Sequence, residues 1–218
     1  GSAQTFVFTI LQQPLQSLGG TLPATILVLL VEAVIWCFGL HGSSIVSSVM
    51  NPIWFAQSAE NLAAFEAGLA MPHIVNYQFI SFFVKLGGVG ATLSLTLLCL
   101  FKAKSDQYRA LGKLGIGASL FNINEPIIFV FPIVLSPVMM IPFIVANISV
   151  GLVTYLAIYL GLVPMINGIN LPYTIPAVIS GFMISGWQGA LLQVVLLLLT
   201  GLIYYPFFKA HDKQAFIE

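Results

Sequence analysis

Apolar positions in this chain fall in long unbroken runs, without the alternation of a half-buried strand or the single stripe of a surface helix. A crossing needs roughly 20 predominantly apolar residues. Thr21 to Phe38, Ile74 to Phe101, Val138 to Leu162 and Gln188 to Phe208 each read as one membrane-spanning helix. Residues 5–18 are apolar but interrupted by Gln12, Gln13, Pro14 and Gln16, and read as the end of a further span. Between the first two full spans, Ser43 to Pro52 is small and polar. Gln57 to Gly68 holds Glu60, Asn61 and Glu66 without a basic residue, which suits an outer surface.

Two apolar stretches are not written as plain spans. Gly115 to Pro142 carries Asn122, Asn124 and Glu125, followed by prolines at 126, 132, 137 and 142. Proline removes a donor and disfavours helix in the residue before it. Val163 to Gly186 is interrupted by Pro164, Gly168, Pro172, Pro176, Gly181 and Gly186. Backbone freed in this way survives at membrane depth only inside protein or against a wet cavity. The expected fold is therefore an all-α polytopic membrane protein, with transmembrane helices and two re-entrant broken-helix hairpins entering from opposite sides. Paired interrupted segments point to a substrate site near the membrane midplane.

Composition sharpens this reading. Hydrophobic residues make up 59% of the 218 and charged residues 6%, against about 25% charge in a soluble domain. Mean hydropathy is +1.01. Six of the seven basic residues form two clusters, Lys102, Lys104, Arg109 and Lys113, then Lys209 and Lys213. The positive-inside rule places both in the cytoplasm, with an even number of crossings between them. No basic patch with interleaved aromatics exists, so no nucleic-acid partner is expected. Cys37 and Cys99 match neither a metal spacing nor a CxxC motif and read as buried thiols. The three histidines are scattered, so neither metal nor cofactor is expected. Gly1-Ser2 reads as a cloning remnant and stays outside the fold reading.

The polar side chains inside these runs are the candidate chemistry. A carboxylate can accept several hydrogen bonds at once, an imidazole donates and accepts, and amides do both. A flat aromatic offers an apolar face with a polar tip. Glu125, His41, Asn122, Asn124, Trp36 and Tyr173 supply these groups. Glu32 and Lys85 are the other intramembrane charges; an ion pair is open to them, although no spacing links them. His73 precedes a span and reads as interfacial. Gly87-Gly88-Val89-Gly90 reads as a place where helix backbones approach closely.

Three motifs carry a family resemblance. Asn122-Ile123-Asn124-Glu125-Pro126-Ile127-Ile128-Phe129, Trp36-Cys37-Phe38-Gly39-Leu40-His41-Gly42, and Pro172-Tyr173-Thr174-Ile175-Pro176 with Ser180-Gly181-Phe182 occur in that family's expected arrangement. The chain resembles the membrane (IIC) permease component of the bacterial phosphoenolpyruvate-dependent sugar phosphotransferase system, lactose/cellobiose/chitobiose family. Tyr173 stands where tryptophan is usual, Val130 where glycine is, and Ser136 where asparagine is.

The resemblance implies that residues 1–218 are the sugar-binding half of a permease domain whose first half is absent. It implies a multi-pass protein of the bacterial plasma membrane, homodimeric in the full-length permease. Such a protein binds a sugar, a β-linked disaccharide by this likeness, and presents it to a separate cytoplasmic phosphoryl-donor (IIB) subunit. It would not be catalytic alone, but the membrane component of a phosphoryl-transfer complex. His41 and Glu125 would lie at the reacting hydroxyl, with Trp36 and Tyr173 lining the sugar cavity. Two other readings stay open at this level: an ion-coupled secondary transporter using Glu125 as a proton site, and an intramembrane enzyme using His41 and Glu125 as acid and base.

Overall fold

Among the described residues, Thr21 caps a helix, its hydroxyl accepting the Ala24 N–H at 3.4 Å ahead of a proline in the first turn. Proline is tolerated there because that position has no helical acceptor for its N–H. The resulting helix α1, Leu22–Cys37, has 16 residues and closes in a turn where Gly39 takes φ +80. The computed structural model describes residues 19–131 and 133–217, with no side-chain description at 217. The expected span end at 5–18 and the Gly1-Ser2 pair lie outside the described residues.

The polar stretch that follows corrects a sequence expectation. Residues 42–66 are one 25-residue helix, α2 (Gly42–Glu66), with Pro52 inside it. Val46, Met50, Ile53 and Trp54 are buried in the core, while Ser43, Ser47 and Asn51 face a cavity. The polar composition of its first half serves an internal wall.

Residues 74–101, expected to form one span, are bent by 54° between Phe79–Ala91 and Leu93–Lys102. A π-helical turn, Phe79–Val84, runs into a 3-10 turn at Val89–Ala91, then α3, Leu93–Lys102. The glycines cause the break. Gly87, Gly88 and Gly90 have φ of +72, +96 and +77, a region L side chains rarely adopt. A methyl at Gly90 would also lie 2.4 Å from the Phe143 ring. These glycines open the backbone and also allow the close approach expected of them, at Gly90 against Phe143 and at Gly88 against Asn124.

The remaining helices among the described residues are α4 (Asp106–Leu120), the short α5 (Glu125–Val130), α6 (Pro137–Tyr159) and α7 (Ile179–Ile217). Pro137–Tyr159 and Ile179–Phe216 are long and apolar enough to cross a membrane. The stretch 115–142 is broken as expected, by a turn between α4 and α5. The stretch 163–186 is broken in another form. It stays irregular until Ile179, and α7 is then kinked at Ser185 and Gly186. Side-chain amides replace the missing helical partners. Asn61 Nδ2 donates to Ile166 O at 2.8 Å, and Gln78 Nε2 to Gly168 O and Ile169 O. Gln193 Oε1 accepts from the Val178 and Gly181 N–H groups. Buried backbone in an apolar setting needs such partners.

In the packing, α6 lies against α1 and α7, and α3 against α4 and α7. Two apolar clusters result. One surrounds Trp54, Phe79, Phe82 and Phe83, and the other Trp36, Phe131, Phe143, Tyr204 and Phe208. Hydrogen bonds gather the start of the π turn, Asn61 on α2 and the 166–169 loop at one end. At the opposite end of α3, Asp212 of α7 accepts from the N–H groups of Lys104 and Ser105.

Candidate functional site

Three backbone breaks and one loop meet around a cavity of about 310 Å³. They are the α1–α2 turn, the glycine break at 87–90, the α4–α5 turn and the loop at Tyr173. All six side chains singled out from the sequence line it: Trp36, His41, Asn122, Asn124, Glu125 and Tyr173.

Glu125 opens α5 directly before Pro126, so its side chain leaves the first turn of that helix. Its Oε1 lies 3.4 Å from His41 Nε2, while its Oε2 is buried with no hydrogen-bond partner among the described residues. His41 caps α2. Its Nδ1 accepts the Ser44 backbone N–H at 3.1 Å and lies 2.8 Å from the Ser44 hydroxyl. An amide N–H can only donate, so in the neutral ring the proton sits on Nε2, aimed at Glu125. The pair is half open, at 49% and 42% exposed, and reachable by a ligand.

The glycines flanking His41 have geometric duties rather than flexible ones. Gly39 takes the positive φ of the turn. A methyl at Gly42 would lie 2.3 Å from Glu32 O and 2.9 Å from the Trp36 ring. The histidine is thereby held at a close crossing of α1 and α2.

The two asparagines link the breaks to each other. Asn122 Oδ1 accepts the Gly87 N–H at 2.9 Å, and its Nδ2 donates to Tyr173 O at 2.6 Å. Asn124 Nδ2 donates to Val89 O at 2.8 Å and to the Thr92 hydroxyl. Both amides border the cavity while spending these bonds on its frame.

Trp36 differs from the open stacking surface that the sequence suggests. It is 1% exposed. Its indole N–H donates to the Ser43 hydroxyl at 3.1 Å, and its ring lies 4.4 Å from the His41 ring. It braces the histidine from behind. Tyr173, at 53% exposed, is the open aromatic.

Several lining residues escape the sequence reading. Ser43, Ser47, Asn51 and Trp54 form one face of α2, joined by Tyr77, Ser81 and Lys85. The first four recur at helical spacing, a signal that a helix assignment for 42–66 would have exposed. Lys85 also resolves the two unexplained charges: its Nζ lies 2.8 Å from Oε1 of fully buried Glu32. Among the described residues neither Glu32 oxygen has an aligned hydrogen bond, so charge rather than geometry makes the pair. His73 pairs with Glu60 at 2.5 Å at the far end of α2. Among the described residues no group of three metal-ligating side chains occurs.

Comparison with known proteins gives this constellation relatives. The family model described as "Phosphotransferase system, EIIC" matches residues 2–147. The chain is 43% identical to a permease IIC component, YwbA, of Bacillus subtilis (strain 168), over all of this chain and 49% of that protein. It is 40% identical to the cellobiose-specific EIIC component of Geobacillus stearothermophilus, over 100% of this chain and 49% of the relative. Among solved structures, the transporter ChbC, IIC component of the N,N'-diacetylchitobiose-specific phosphotransferase system, superposes with a TM-score of 0.92. It is 40% identical, and the match covers 99% of this chain and 50% of that one. The chain spans about half the length of the curated relatives it matches.

Proposed function

Since the chain belongs to the EIIC family of the phosphotransferase system, we propose that it is the sugar-binding half of a translocation subunit, taking a β-linked disaccharide such as cellobiose. The observation that carries this reading is the His41–Glu125 pair, 3.4 Å apart and half open in a cavity that also holds an exposed Tyr173. The relatives named for cellobiose and N,N'-diacetylchitobiose support the substrate class. In this reading the protein sits as a multi-pass subunit in the bacterial plasma membrane, homodimeric in its full permease. It works with a cytoplasmic phosphoryl-donor (IIB) subunit.

In this reading the two side chains divide the chemical work. A sugar hydroxyl between the two side chains receives a hydrogen bond from His41 Nε2–H and donates to a Glu125 oxygen. As its oxygen bonds to the donor's phosphorus, the bond from phosphorus to the donor's side chain breaks and the hydroxyl proton passes to Glu125. Positioning and charge stabilisation dominate phosphoryl transfer. A placed proton acceptor contributes typically 10²–10⁴-fold. Lys85, its charge paired with Glu32, borders the same cavity, and the Asn122 and Asn124 bonds hold its walls.

The test is paired. His41→Gln should keep cellobiose affinity within a few-fold while slowing phosphorylation by the donor, at saturating sugar, by about 10², because the reacting hydroxyl loses the imidazole that positions it. Equal losses would make His41 an ordinary ligand, and no loss in either would remove it from the site. Uptake that survives loss of the donor but collapses with the proton gradient would support the ion-coupled reading instead.

A further inference from the structure

A second cavity, of about 520 Å³, lies at the end of the molecule away from Glu60 and His73. Four lysines line it: Lys102 and Lys104 after α3, and Lys209 and Lys213 one turn apart on α7. All four are exposed. The acidic side chain among its lining residues, Asp212, is already committed. Its Oδ2 accepts the Lys104 N–H at 2.8 Å, and its Oδ1 accepts the Ser105 N–H and hydroxyl at 3.0 and 2.8 Å. These bonds fix the chain after α3 against α7 and bring the two lysine pairs to one mouth. Asp212 keeps its charge in these bonds, so among the described lining residues four lysines face one carboxylate, a net excess of positive charge.

This mouth continues into an apolar groove. Lys102 and Tyr205 line both the basic cavity and a neighbouring one between α3 and α7. That groove is walled by Phe101, Leu198 and Leu202, which are 73%, 65% and 73% exposed, and floored by Gly201. It runs along the membrane-crossing part of α7. A soluble anion would fill the basic mouth and leave the groove bare, and a soluble protein has no access to a groove at membrane depth. An amphiphile with a negative head and an acyl tail matches both parts.

We infer that this is a binding site for an anionic phospholipid, with its phosphodiester among Lys102, Lys104, Lys209 and Lys213 and an acyl chain along Leu198–Leu202. Basic pockets between membrane helices on the cytoplasmic side suit such headgroups. Six of the seven basic residues lie in the two clusters at this end. The site is separate from the sugar cavity and shares no lining residue with it.

The test is native mass spectrometry of the delipidated chain, titrated with dioleoyl phosphatidylglycerol, dioleoyl phosphatidylcholine and glycerol 3-phosphate. Phosphatidylglycerol should bind at least about tenfold tighter than phosphatidylcholine. The double variant K209Q/K213Q should bring the two lipids to the same affinity, and K102Q/K104Q is the second charge variant should the first fail to fold. Gly201→Phe, which fills the groove floor and leaves the lysines in place, should weaken both lipids. A methyl at 201 meets nothing nearer than the Ser94 side chain at 3.7 Å, and Gly201→Leu is the second groove variant should the phenylalanine fail to fold. Equal affinity of the two lipids for the unmodified chain would overturn the inference. So would unchanged binding in folded charge variants or in Gly201→Phe. Glycerol 3-phosphate competing as well as the lipid would reassign the mouth to soluble anions.

Discussion

At the scale of single residues, Glu32 is the sharpest constraint, because its side chain has no exposed surface and faces Lys85 at 2.8 Å. Removing one partner of a buried pair costs about 3–5 kcal/mol, since the other charge is left uncompensated. Lys85→Met should therefore destabilise the protein by about that amount, and Glu32→Gln with Lys85→Met together should recover most of it. Urea unfolding of the unmodified protein and the two variants in detergent measures this. A double variant as unstable as the single one would mean that the pair contributes nothing. The link between residues 32 and 85 is illegible in sequence because it is tertiary. The same holds for Trp36, whose aromatic character is plain but whose burial behind His41 depends on the close crossing at Gly42. His41 and Glu125 are legible because each sits beside a breaker, a glycine or a proline, whose local effect the sequence states directly.

Among the elements, the breaks rather than the helices place the site. The α4–α5 break can be read from Asn122 to Pro126, where polar groups and a proline interrupt an apolar run. The bend at 79–102 is masked by continuous hydrophobicity, although three of its glycines take positive φ. Helix α2 is masked in the opposite way, because its polar residues face an internal cavity and imitate a surface segment. The glycine break makes a specific prediction. At Gly88, φ is +96 and a methyl would lie 2.2 Å from the Asn124 side chain. Backbone strain and overlap together should cost about 2–4 kcal/mol in Gly88→Ala. Gly68→Ala, with φ +67 but open space around it, should cost about 1 kcal/mol. Thermal unfolding of both variants decides the matter. Equal losses would contradict the view that the 87–90 break is held by its contact with Asn124.

For the whole molecule, charge and hydrogen bonding agree on which ends face the same side. Lys102–Lys113 and Lys209–Lys213 are joined through Asp212, while Glu60–His73 and the 166–169 loop meet at the other end. Cysteines at exposed Gln107 and Gln214 should react with a membrane-impermeant maleimide from one side, and those at exposed Leu69 and Leu160 from the other. The native Cys37 and Cys99 are buried and add little background. Labelling of Gln107→Cys and Gln214→Cys from opposite sides would refute this arrangement. Between these ends lies the claim on which the account turns, that Glu125 holds the sugar in the cavity it shares with His41. Losing a charged hydrogen bond costs about 1.5–3 kcal/mol, which is roughly tenfold or more in affinity. The most direct measurement is titration calorimetry of cellobiose against the unmodified protein and Glu125→Gln in detergent, at matched helical content. The account predicts affinity at least about tenfold weaker in the variant, and equal affinity in the two proteins would contradict it.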